Sequence, residues 1–433
     1  MRIRIALLLS LALLFSTVAA VNAKTLDIVF WHMEVPPHRV AAFQKVIDEF
    51  NAANPGINIS QQTVSWGDAN QRLMAAIGAG NPPDFTFVND SVAVALWTTG
   101  AIQPVDDIIA ELDSLYKFVP SNVAPFEHHG HIWAVPMFTL THLFYYRTDL
   151  AEKAGFNKAP ETWDELIELV SAMHGIEPDV AGIALPASKH KFTQQCFYDF
   201  MITNGANIFD ADGNVAFNNE RVVEALTAYQ ELLKYSVPDA ASLEWSGAEL
   251  TFATGRAASM FFFGSLFKQV EDSGIVSGKF NAILPPIPAE GGRVGSINSH
   301  NAISIFTKDA ARRQAIKDFL VFWLEPERYG RFLAEAEPGL YVPVHEAAMD
   351  SEAFWGHPII AKYEDHVRLG FKAQETDYAY NIGFAPDHPL VEAAGDVDGS
   401  LLLAEVVQKV AFGEMTPAEA AAWGEEQLKW LVE

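Results

Sequence analysis

The first ninety residues of the chain alternate between short apolar runs and amphipathic stretches. The apolar runs predict short strands at residues 26–31, 57–59 and 84–88. Between them, apolar residues recur at helical spacing over 40–50 and 66–77. Because the order is strand, helix, strand, helix, strand, the pattern predicts a doubly wound α/β region.

The chain stays α/β after residue 143 but becomes more helical. Thr162 is followed three residues later by Glu165, the capping-box pattern that starts a helix. Residues 220–235 have the spacing of an amphipathic helix, and Pro417 stands at the first position of the last predicted helix. We find no internal repeat, low-complexity tract or long linker in the sequence.

Length and composition favour two domains. One hydrophobic core rarely grows beyond about 250–300 residues, whereas this chain has 433 residues, of which 50% are hydrophobic. Its apolar stretch at 257–263 is too short to span a bilayer, and we interpret it as a buried strand. The sequence therefore predicts two lobes, each with its own core.

The N-terminal segment has the pattern of a secretory signal peptide. Arg2 and Arg4 precede a short apolar region at 5–15, and small residues stand at the −3 and −1 positions of a cleavage site after Ala23. We assign residues 1–23 to a cleaved signal peptide, with an uncleaved membrane anchor as the alternative. No cysteine stands at the cleavage site, so we expect a periplasmic protein without a lipid anchor.

Charge and cysteine content narrow the function further. The formal net charge is −26 at pH 7, whereas nucleic acids and anionic membranes bind positive patches. We therefore expect a soluble monomer that binds no nucleic acid. The single cysteine, Cys196, cannot form an intramolecular disulfide, and its aromatic neighbours predict a buried, inert thiol.

Polar and aromatic residues directly follow the three predicted strands of the first region. In doubly wound sheets, ligands bind beyond the carboxyl ends of the strands. This rule selects His32, Trp66 and Asp90 as candidate ligand contacts, with ordinary turn residues as the alternative. Asp68 could accept a hydrogen bond from a ligand hydroxyl or cap the helix that it precedes.

Six segments of the chain match a known pattern in order and in spacing. They lie at 30–32, 49–57, 79–84, 130–166, 252–260 and 413–420. The fourth segment combines a strand that contains a proline, an aromatic pair on a second strand, and a Pro-x-Thr-Trp-Asp-Glu helix start. Together the segments resemble the extracellular solute-binding proteins of ABC importers, in the sugar-binding group (family 1) that includes maltose-binding protein.

The resemblance implies an α/β fold of type II, with two lobes, three crossovers between them, and a ligand cleft where the lobes meet. Lobe one would comprise 24–137 and 298–326, and lobe two would comprise 139–295 and 328–433. The hinges would lie near 136–141, 294–299 and 325–330. Such a protein captures its solute by lobe closure and delivers it to a cognate ABC permease in the inner membrane.

The resemblance also implies ligand contacts at the crossovers and on lobe two. Phe138 and Thr139 lie on the first crossover, and Asn298 and His300 lie on the second. The further positions that it implies are Trp245, Gly264, Ser265, Gly339 and Tyr341. A core position is the alternative for Trp245. The family often has a tryptophan shortly after the glycine at position 264, where this chain has Ser265 and Leu266.

Histidines at two places raise the question of a metal site. Those in the segment 128–131 stand on a predicted turn, where their spacing does not build a regular tetrahedral ligand set. His32, His142 and His300 fall at predicted cleft edges, where they could meet and hold a metal or an acidic group. Hydrogen bonding to a neutral solute is the simpler interpretation, and we expect neither a metal nor a cofactor.

Three functions compete. The first is capture of a sugar or a related polyhydroxy compound, and the second is capture of a glycerol phosphate, an oligopeptide or another non-sugar solute. An anionic ligand predicts an Arg or Lys in the cleft, and the strand ends of lobe one provide none. The third is a secreted glycoside hydrolase, which needs only two carboxylates. The sequence has no nucleophile motif, phosphate loop or metal signature, so we expect no enzyme.

Overall fold

The computed structural model describes residues 25–376, 379–385 and 391–432, with the side chains of all of these except Gly67 and Asn70. The predicted signal peptide, 1–23, lies outside the described residues. Within these ranges, no helix combines the length and the apolar character that a membrane span requires.

The strands are β1 (Leu26–His32), β2 (Ile57–Thr63), β3 (Phe85–Asn89), β4 (Glu127–His128), β5 (His131–Ile132), β6 (Val135–Thr141), β7 (Leu143–Arg147), β8 (Ser259–Phe262), β9 (Phe280–Ile283), β10 (Ser296–Ile305) and β11 (Ala379–Tyr380). The helices up to the return crossover are α1 (Pro37–Ala53), α2 (Trp66–Gly78), α3 (Asp90–Thr98), α4 (Asp106–Tyr116), α5 (Pro120–Val123), α6 (Thr148–Lys153), α7 (Trp163–Met173), α8 (Lys191–Thr203), α9 (Glu220–Leu233), α10 (Trp245–Ala253) and α11 (Leu266–Ser273). Those after it are α12 (Ala310–Trp323), α13 (Pro326–Ala336), α14 (Glu352–Trp355), α15 (Pro358–Lys362), α16 (Glu364–Gln374), α17 (Ala394–Ser400), α18 (Leu402–Ala411) and α19 (Pro417–Val432). Short 3-10 turns occupy Ala124–Phe126, Ala240–Ser242 and Glu346–Ala348.

The larger sheet begins with the strands that the sequence pattern predicts. Its order is β2-β1-β3-β10, in which β1 is parallel to β2 and β3, and β10 is antiparallel to β3. Strand β6 pairs antiparallel with β10, and β11 pairs with the first residues of β10. Because β1, β2 and β3 run in the same direction, their carboxyl ends meet at one edge of this sheet.

The smaller sheet is antiparallel, in the order β8-β7-β9. The chain passes from the larger sheet to the smaller one through His142, the one residue between β6 and β7, and it returns through 284–295. These passages lie at or beside the expected crossovers at 136–141 and 294–299. The hinge function of both segments stays a prediction.

The core of the larger-sheet region is aromatic and includes α13. Trp323 is 1% exposed, and its ring packs edge-on against Phe43 and Phe332 at centroid distances of 5.4 and 4.9 Å. Because Phe332 belongs to this core, α13 lies against α1. The structure thus places residues 328–336, which we assigned to lobe two, beside helices of the larger sheet. The helices α15 and α16 contact α11 and β9 of the smaller-sheet region.

Several local predictions are confirmed. Thr162 caps α7 in a capping box with Glu165, and α19 begins at Pro417. Cys196 is a free, buried thiol, and burial raises its pKa. A raised pKa keeps the thiol protonated, which agrees with the expectation of an inert side chain.

Candidate ligand-binding site

Glu34 stands two residues beyond β1, at the carboxyl edge of the larger sheet. Its side chain is 6% exposed. Trp66, the first residue of α2, donates a hydrogen bond from Nε1 to Glu34 Oε1 at 3.2 Å. The Ser65 side chain caps α2 and so fixes the helical turn that carries Trp66. The strand-end rule therefore leads to Glu34 as well as to Trp66, although we did not select Glu34 from the sequence.

Arg39 joins Glu34 to a second buried carboxylate, Glu337. Arg39 Nη1 donates to Glu34 Oε2 at 2.7 Å, and Nε donates to Glu337 Oε2 at 2.8 Å. Burial by itself would raise the pKa of Glu34, but the charge and hydrogen bond of Arg39 bring that pKa below its ordinary value. Glu34 is therefore ionised at neutral pH.

Tyr341 completes this group from the loop that follows α13. Its ring centroid lies 4.0 Å from that of Phe138, and the Arg39 guanidinium lies 5.8 Å from the Tyr341 ring centroid. The Tyr341 hydroxyl is buried beside Glu34 without the geometry of a hydrogen bond, and burial raises its pKa. The Glu34 cluster, as we name it, consists of Glu34, Arg39, Trp66, Glu337 and Tyr341.

Two glycines bring the smaller-sheet region against this loop. A Cβ atom on Gly264, just after β8, would lie 1.9 Å from the carbonyl oxygen of Gly339. Gly339 has a φ of +87°, and a Cβ atom there would lie 2.3 Å from the Phe267 ring. The two backbones thus meet at a distance that a side chain at either position would not allow. This contact joins the predicted positions Gly264 and Gly339.

Glu249, on α10, faces the same junction. Its carboxyl lies beside Ser265, and its Oε1 atom is buried without a hydrogen-bond partner among the described residues. Burial raises the pKa of Glu249 to about 7. Glu337 raises this pKa further, whereas Ser265 and Arg39 lower it. The structure thereby connects Ser265, a predicted contact, with the Glu34 cluster.

Trp245 opens the helix that carries Glu249, but its own contacts are with α8. Its Nε1 donates to Gln195 Oε1 at 3.0 Å. The His190 ring packs edge-on against the indole at a centroid distance of 4.6 Å. Trp245 is half-buried, and its role as a ligand contact stays a prediction.

His32 and Asp68 have structural surroundings. His32 is fully buried on the face of β1 that packs on α1, where it stacks on Phe43 at 4.3 Å and its Nε2 lies 2.7 Å from Gln61 Oε1. Burial lowers the pKa of His32. Asp68 is exposed and receives a hydrogen bond from Ser65 Oγ at 2.7 Å, as a residue of the helix start does. Ligand binding by either side chain stays a prediction that these contacts do not support.

Asp90, Asn298 and His300 form a second buried polar group. Asp90 Oδ1 accepts from Asn381 Nδ2 at 2.7 Å, and Oδ2 lies 3.4 Å from His300 Nδ1. Asn298 lies 3.3 Å from His300 Nε2 and accepts from the Thr141 hydroxyl at 2.9 Å. The structure therefore brings these three predicted residues together, and Asn381 is a member that we missed.

Thr139, the remaining predicted contact, is also fully buried. Its backbone pairs with Val342, and its hydroxyl accepts from Gln374 Nε2 at 2.6 Å. Thr139 therefore links β6 to the chain segment that follows Tyr341, and ligand binding by its side chain stays a prediction.

The histidines do not form one site. His142 bonds to Asp199 at 2.7 Å, so His32, His142 and His300 lie in three separate hydrogen-bond networks. Residues 129–130 form the turn between β4 and β5, while His128 ends β4 and His131 begins β5. In the ranges that the structure describes, no group of three or more His, Cys, Asp or Glu residues is arranged to hold a metal ion.

Four of the residues that we missed share one property. Glu34, Arg39, Glu249 and Glu337 are charged, and all except Arg39 lie within four residues of a predicted position. Glu249 stands one helical turn after Trp245, and Glu337 directly precedes the loop with Gly339. A search of the residues within one helical turn of each predicted contact would have found Glu34, Glu249 and Glu337, but not Arg39.

The structure has two α/β regions with polar and aromatic residues between them. This arrangement is typical of the class of two-lobed binding proteins. Maltose-bound MalE3 of T. maritima superposes with a TM-score of 0.79, at 19% sequence identity, over 94% of this chain and 100% of that chain. This likeness shows the fold and confirms the predicted fold class.

Sequence comparison shows the family. The family described as bacterial extracellular solute-binding protein matches residues 36–329. YcjN of Escherichia coli (strain K12), named as an ABC transporter periplasmic-binding protein, is 22% identical over 429 residues, 95% of this chain and 94% of that protein. UgpB of Shigella dysenteriae serotype 1, the sn-glycerol-3-phosphate-binding periplasmic protein, is 29% identical over 178 residues, 39% of each chain. The chain belongs to the bacterial extracellular solute-binding proteins.

Proposed function

We propose that this protein captures a sugar or a related polyhydroxy solute between its lobes and delivers it to an ABC permease in the inner membrane. The observation that carries the proposal is the Glu34 cluster, in which aromatic rings and carboxylates lie side by side, next to the loop whose Gly339 meets Gly264 of the other region. Aromatic faces cover the apolar C–H faces of a sugar, and carboxylates accept from its hydroxyls.

Lobe closure follows from the same chemistry. A buried solute hydroxyl needs a hydrogen-bond partner, and the two lobes together supply more partners than either does alone. The solute shifts the open–closed equilibrium by its difference in affinity for the two states. We propose that the permease recognises the closed form, and that two of the hinges lie at the crossovers near 136–141 and 294–299.

The setting of this function is part of the proposal. Residues 1–23 have the pattern of a cleaved signal peptide, so the mature chain acts in the periplasm, as a monomer. It binds its solute without a catalytic step and returns it chemically unchanged. A solute recovered intact after prolonged incubation with the protein supports this statement, whereas a hydrolysed product contradicts it.

Glycerol phosphate is the second candidate solute, because the chain is similar to UgpB. That similarity covers 39% of this chain, whereas the match to YcjN covers 95%. A phosphate would meet Glu34 and Glu337, which already hold Arg39 by two hydrogen bonds. We therefore place this solute second.

A thermal-melt screen of the mature chain against sugars, polyols, uronates and glycerol phosphates tests the proposal. A solute at 100 times its Kd stabilises the folded protein by about 2.7 kcal/mol, which raises the melting temperature measurably. We expect at least one sugar or polyol to do so. A flat response to every sugar and polyol contradicts the proposal.

Trp66→Ala is expected to weaken binding of the screen's best solute by about 10- to 100-fold. Truncation of a side chain that is buried against a ligand costs about 1.5–3 kcal/mol. Isothermal titration calorimetry measures the change. Trp430→Ala is the control, because Trp430 is 74% exposed on α19, and it should bind like wild type. Equal affinities of all three proteins would remove Trp66 from the site.

Gly264→Ala is expected to weaken the same binding by about 5- to 150-fold, because overpacking against a backbone costs about 1–3 kcal/mol. The new methyl group meets the Gly339 carbonyl only when the lobes are closed, so the melting temperature without solute should stay near that of wild type. Gly78→Ala is the matched control, since a Cβ atom there meets no atom within 4 Å. If Gly264→Ala lowers solute-free stability and leaves affinity intact, the contact lies within one lobe.

A further inference from the structure

The charges where the two lobes meet are unequal in number. Three carboxylates, those of Glu34, Glu249 and Glu337, lie around one guanidinium. Arg39 donates to Glu34 at 2.7 Å and to Glu337 at 2.8 Å, so its charge is matched by these two. His38 lies 2.7 Å from Glu337, with its side chain 39% exposed. When Glu249 is ionised, negative charge among these side chains therefore exceeds positive charge by one or two.

Two polar groups at this junction, besides the Tyr145 hydroxyl, have no hydrogen-bond partner of ordinary geometry within the described part of the chain. One is the hydroxyl of Tyr341, a residue that is 1% exposed. The other is Glu249 Oε1, which is buried beside Ser265. Buried polar atoms in folded proteins nearly always have a partner. A solute that donates hydrogen bonds supplies one to each of these oxygen atoms.

We propose that Glu249 determines the charge specificity of this cleft, which takes polyhydroxy solutes without negative charge and excludes their phosphate and carboxylate analogues. The inference rests on the proposed function and adds the charge class of the solute to it. A solute hydroxyl or ammonium group donates to the Glu249 carboxyl. A phosphate in the same place meets like charges in a desolvated site, which is strongly unfavourable.

The protonation state of Glu249 separates hydroxyl donors from ammonium donors. Burial raises its pKa to about 7, Glu337 and Arg39 are the charged groups that act on it, and the Tyr145 hydroxyl lies near it. Above this pKa the carboxylate attracts an ammonium group, and below it the neutral acid does not. Affinity for an amine-bearing sugar should therefore rise by about 10-fold from pH 6 to pH 8, as the ionised fraction grows. Affinity for a neutral sugar should change little.

The test uses four compounds that differ only at one carbon: glucose, 6-amino-6-deoxyglucose, glucuronate and glucose 6-phosphate. Glycerol and glycerol 3-phosphate form a second, smaller pair. Each is titrated calorimetrically into the mature chain at pH 6 and at pH 8. At pH 8, where Glu249 is mostly ionised, we expect the anionic member of a set to bind at least about 100-fold more weakly than its neutral parent.

The variant Glu249→Gln identifies the residue responsible. At pH 8 it should narrow the difference in affinity between neutral and anionic members by about 10-fold, and it should abolish the pH dependence of amine binding. Glu426→Gln removes one charge from an exposed position of α19 and should behave like wild type. A Glu249→Gln protein with unchanged discrimination overturns the inference.

The remaining outcomes distinguish failure of the charge specificity from failure of the proposed function. If an anionic member binds as well as its neutral parent, the charge specificity is wrong while solute capture stands. If no compound of either set binds and the wider screen is also flat, the proposed function fails and the inference fails with it. If the wider screen finds a different neutral solute, its own anionic analogue takes the place of the glucose set, with the same criteria.

Discussion

Asp199→Ala is expected to lower the free energy of unfolding by about 2–6 kcal/mol, because two buried donors lose their acceptor and each costs about 1–3 kcal/mol. The Asp199 side chain, on α8, is 0% exposed. One of its oxygen atoms lies 2.7 Å from His142 Nδ1, and the other accepts from the backbone N–H of Ile297 at 2.8 Å.

These bonds tie together the two crossovers between the sheets. His142 is the residue between β6 and β7, and Ile297 belongs to the start of β10. The Ser296 hydroxyl donates to the His142 carbonyl at 2.6 Å, and the His142 N–H donates to the Ile297 carbonyl at 3.0 Å. Loss of Asp199 therefore weakens the point at which both segments leave one region for the other.

Urea denaturation followed by circular dichroism measures this effect. Asp272→Ala is the control, because Asp272 pairs with Lys268 on the surface with its side chain 58% exposed, and such pairs contribute about 0.2–1 kcal/mol. Asp199→Asn keeps the volume and an acceptor oxygen, so it should fall between the two. If Asp199→Ala loses no more stability than the control, the network does not hold the crossovers together.

Glu249→Gln is expected to stabilise the protein increasingly as the pH rises, by up to about 3 kcal/mol at pH 8. Burial raises the pKa of Glu249 from 4.5 to about 7. A group with a raised pKa in the folded state contributes stability that is fully present below its unfolded pKa and is lost as the pH rises through its folded pKa. Glutamine resembles the protonated acid and keeps that contribution at every pH.

The pH window follows from these two pKa values. Wild type and Glu249→Gln should have nearly equal stability at pH 4 and should diverge between about pH 4.5 and 7.5. The Glu249 side chain is partly exposed, and solvent screening makes the 3 kcal/mol figure an upper limit. Urea denaturation of both proteins at pH 4, 6 and 8 measures the difference, with Glu426→Gln as the exposed control. A difference that is constant across this range would show that Glu249 is not desolvated.

The two predictions concern different parts of the molecule. Asp199 bonds to both crossover segments, at His142 and at Ile297. Glu249 lies where the two regions meet, and its raised pKa makes its contribution to stability depend on pH. The effect of a change at Glu249 on stability should therefore depend on pH.

The sequence by itself determined the local elements and the class of the protein. The Thr162 capping box and the proline that opens α19 are local signals, since each involves residues within one helical turn. The alternation of strand and helix predicted the larger sheet, and six ordered segments indicated the family. The strand-end rule found Trp66 because the ends of parallel strands must meet at one edge.

Only the tertiary structure decided which side chains meet. His32 was selected at the end of β1, but alternate residues of a strand face opposite sides, and His32 falls on the side that packs on α1. The chain has 55 acidic residues, and no local pattern distinguishes Glu34, Glu249 and Glu337 among them. Their shared environment arises from segments that lie about 90 to 300 positions apart in the chain, and only the packing of the folded chain brings such segments together and removes their water.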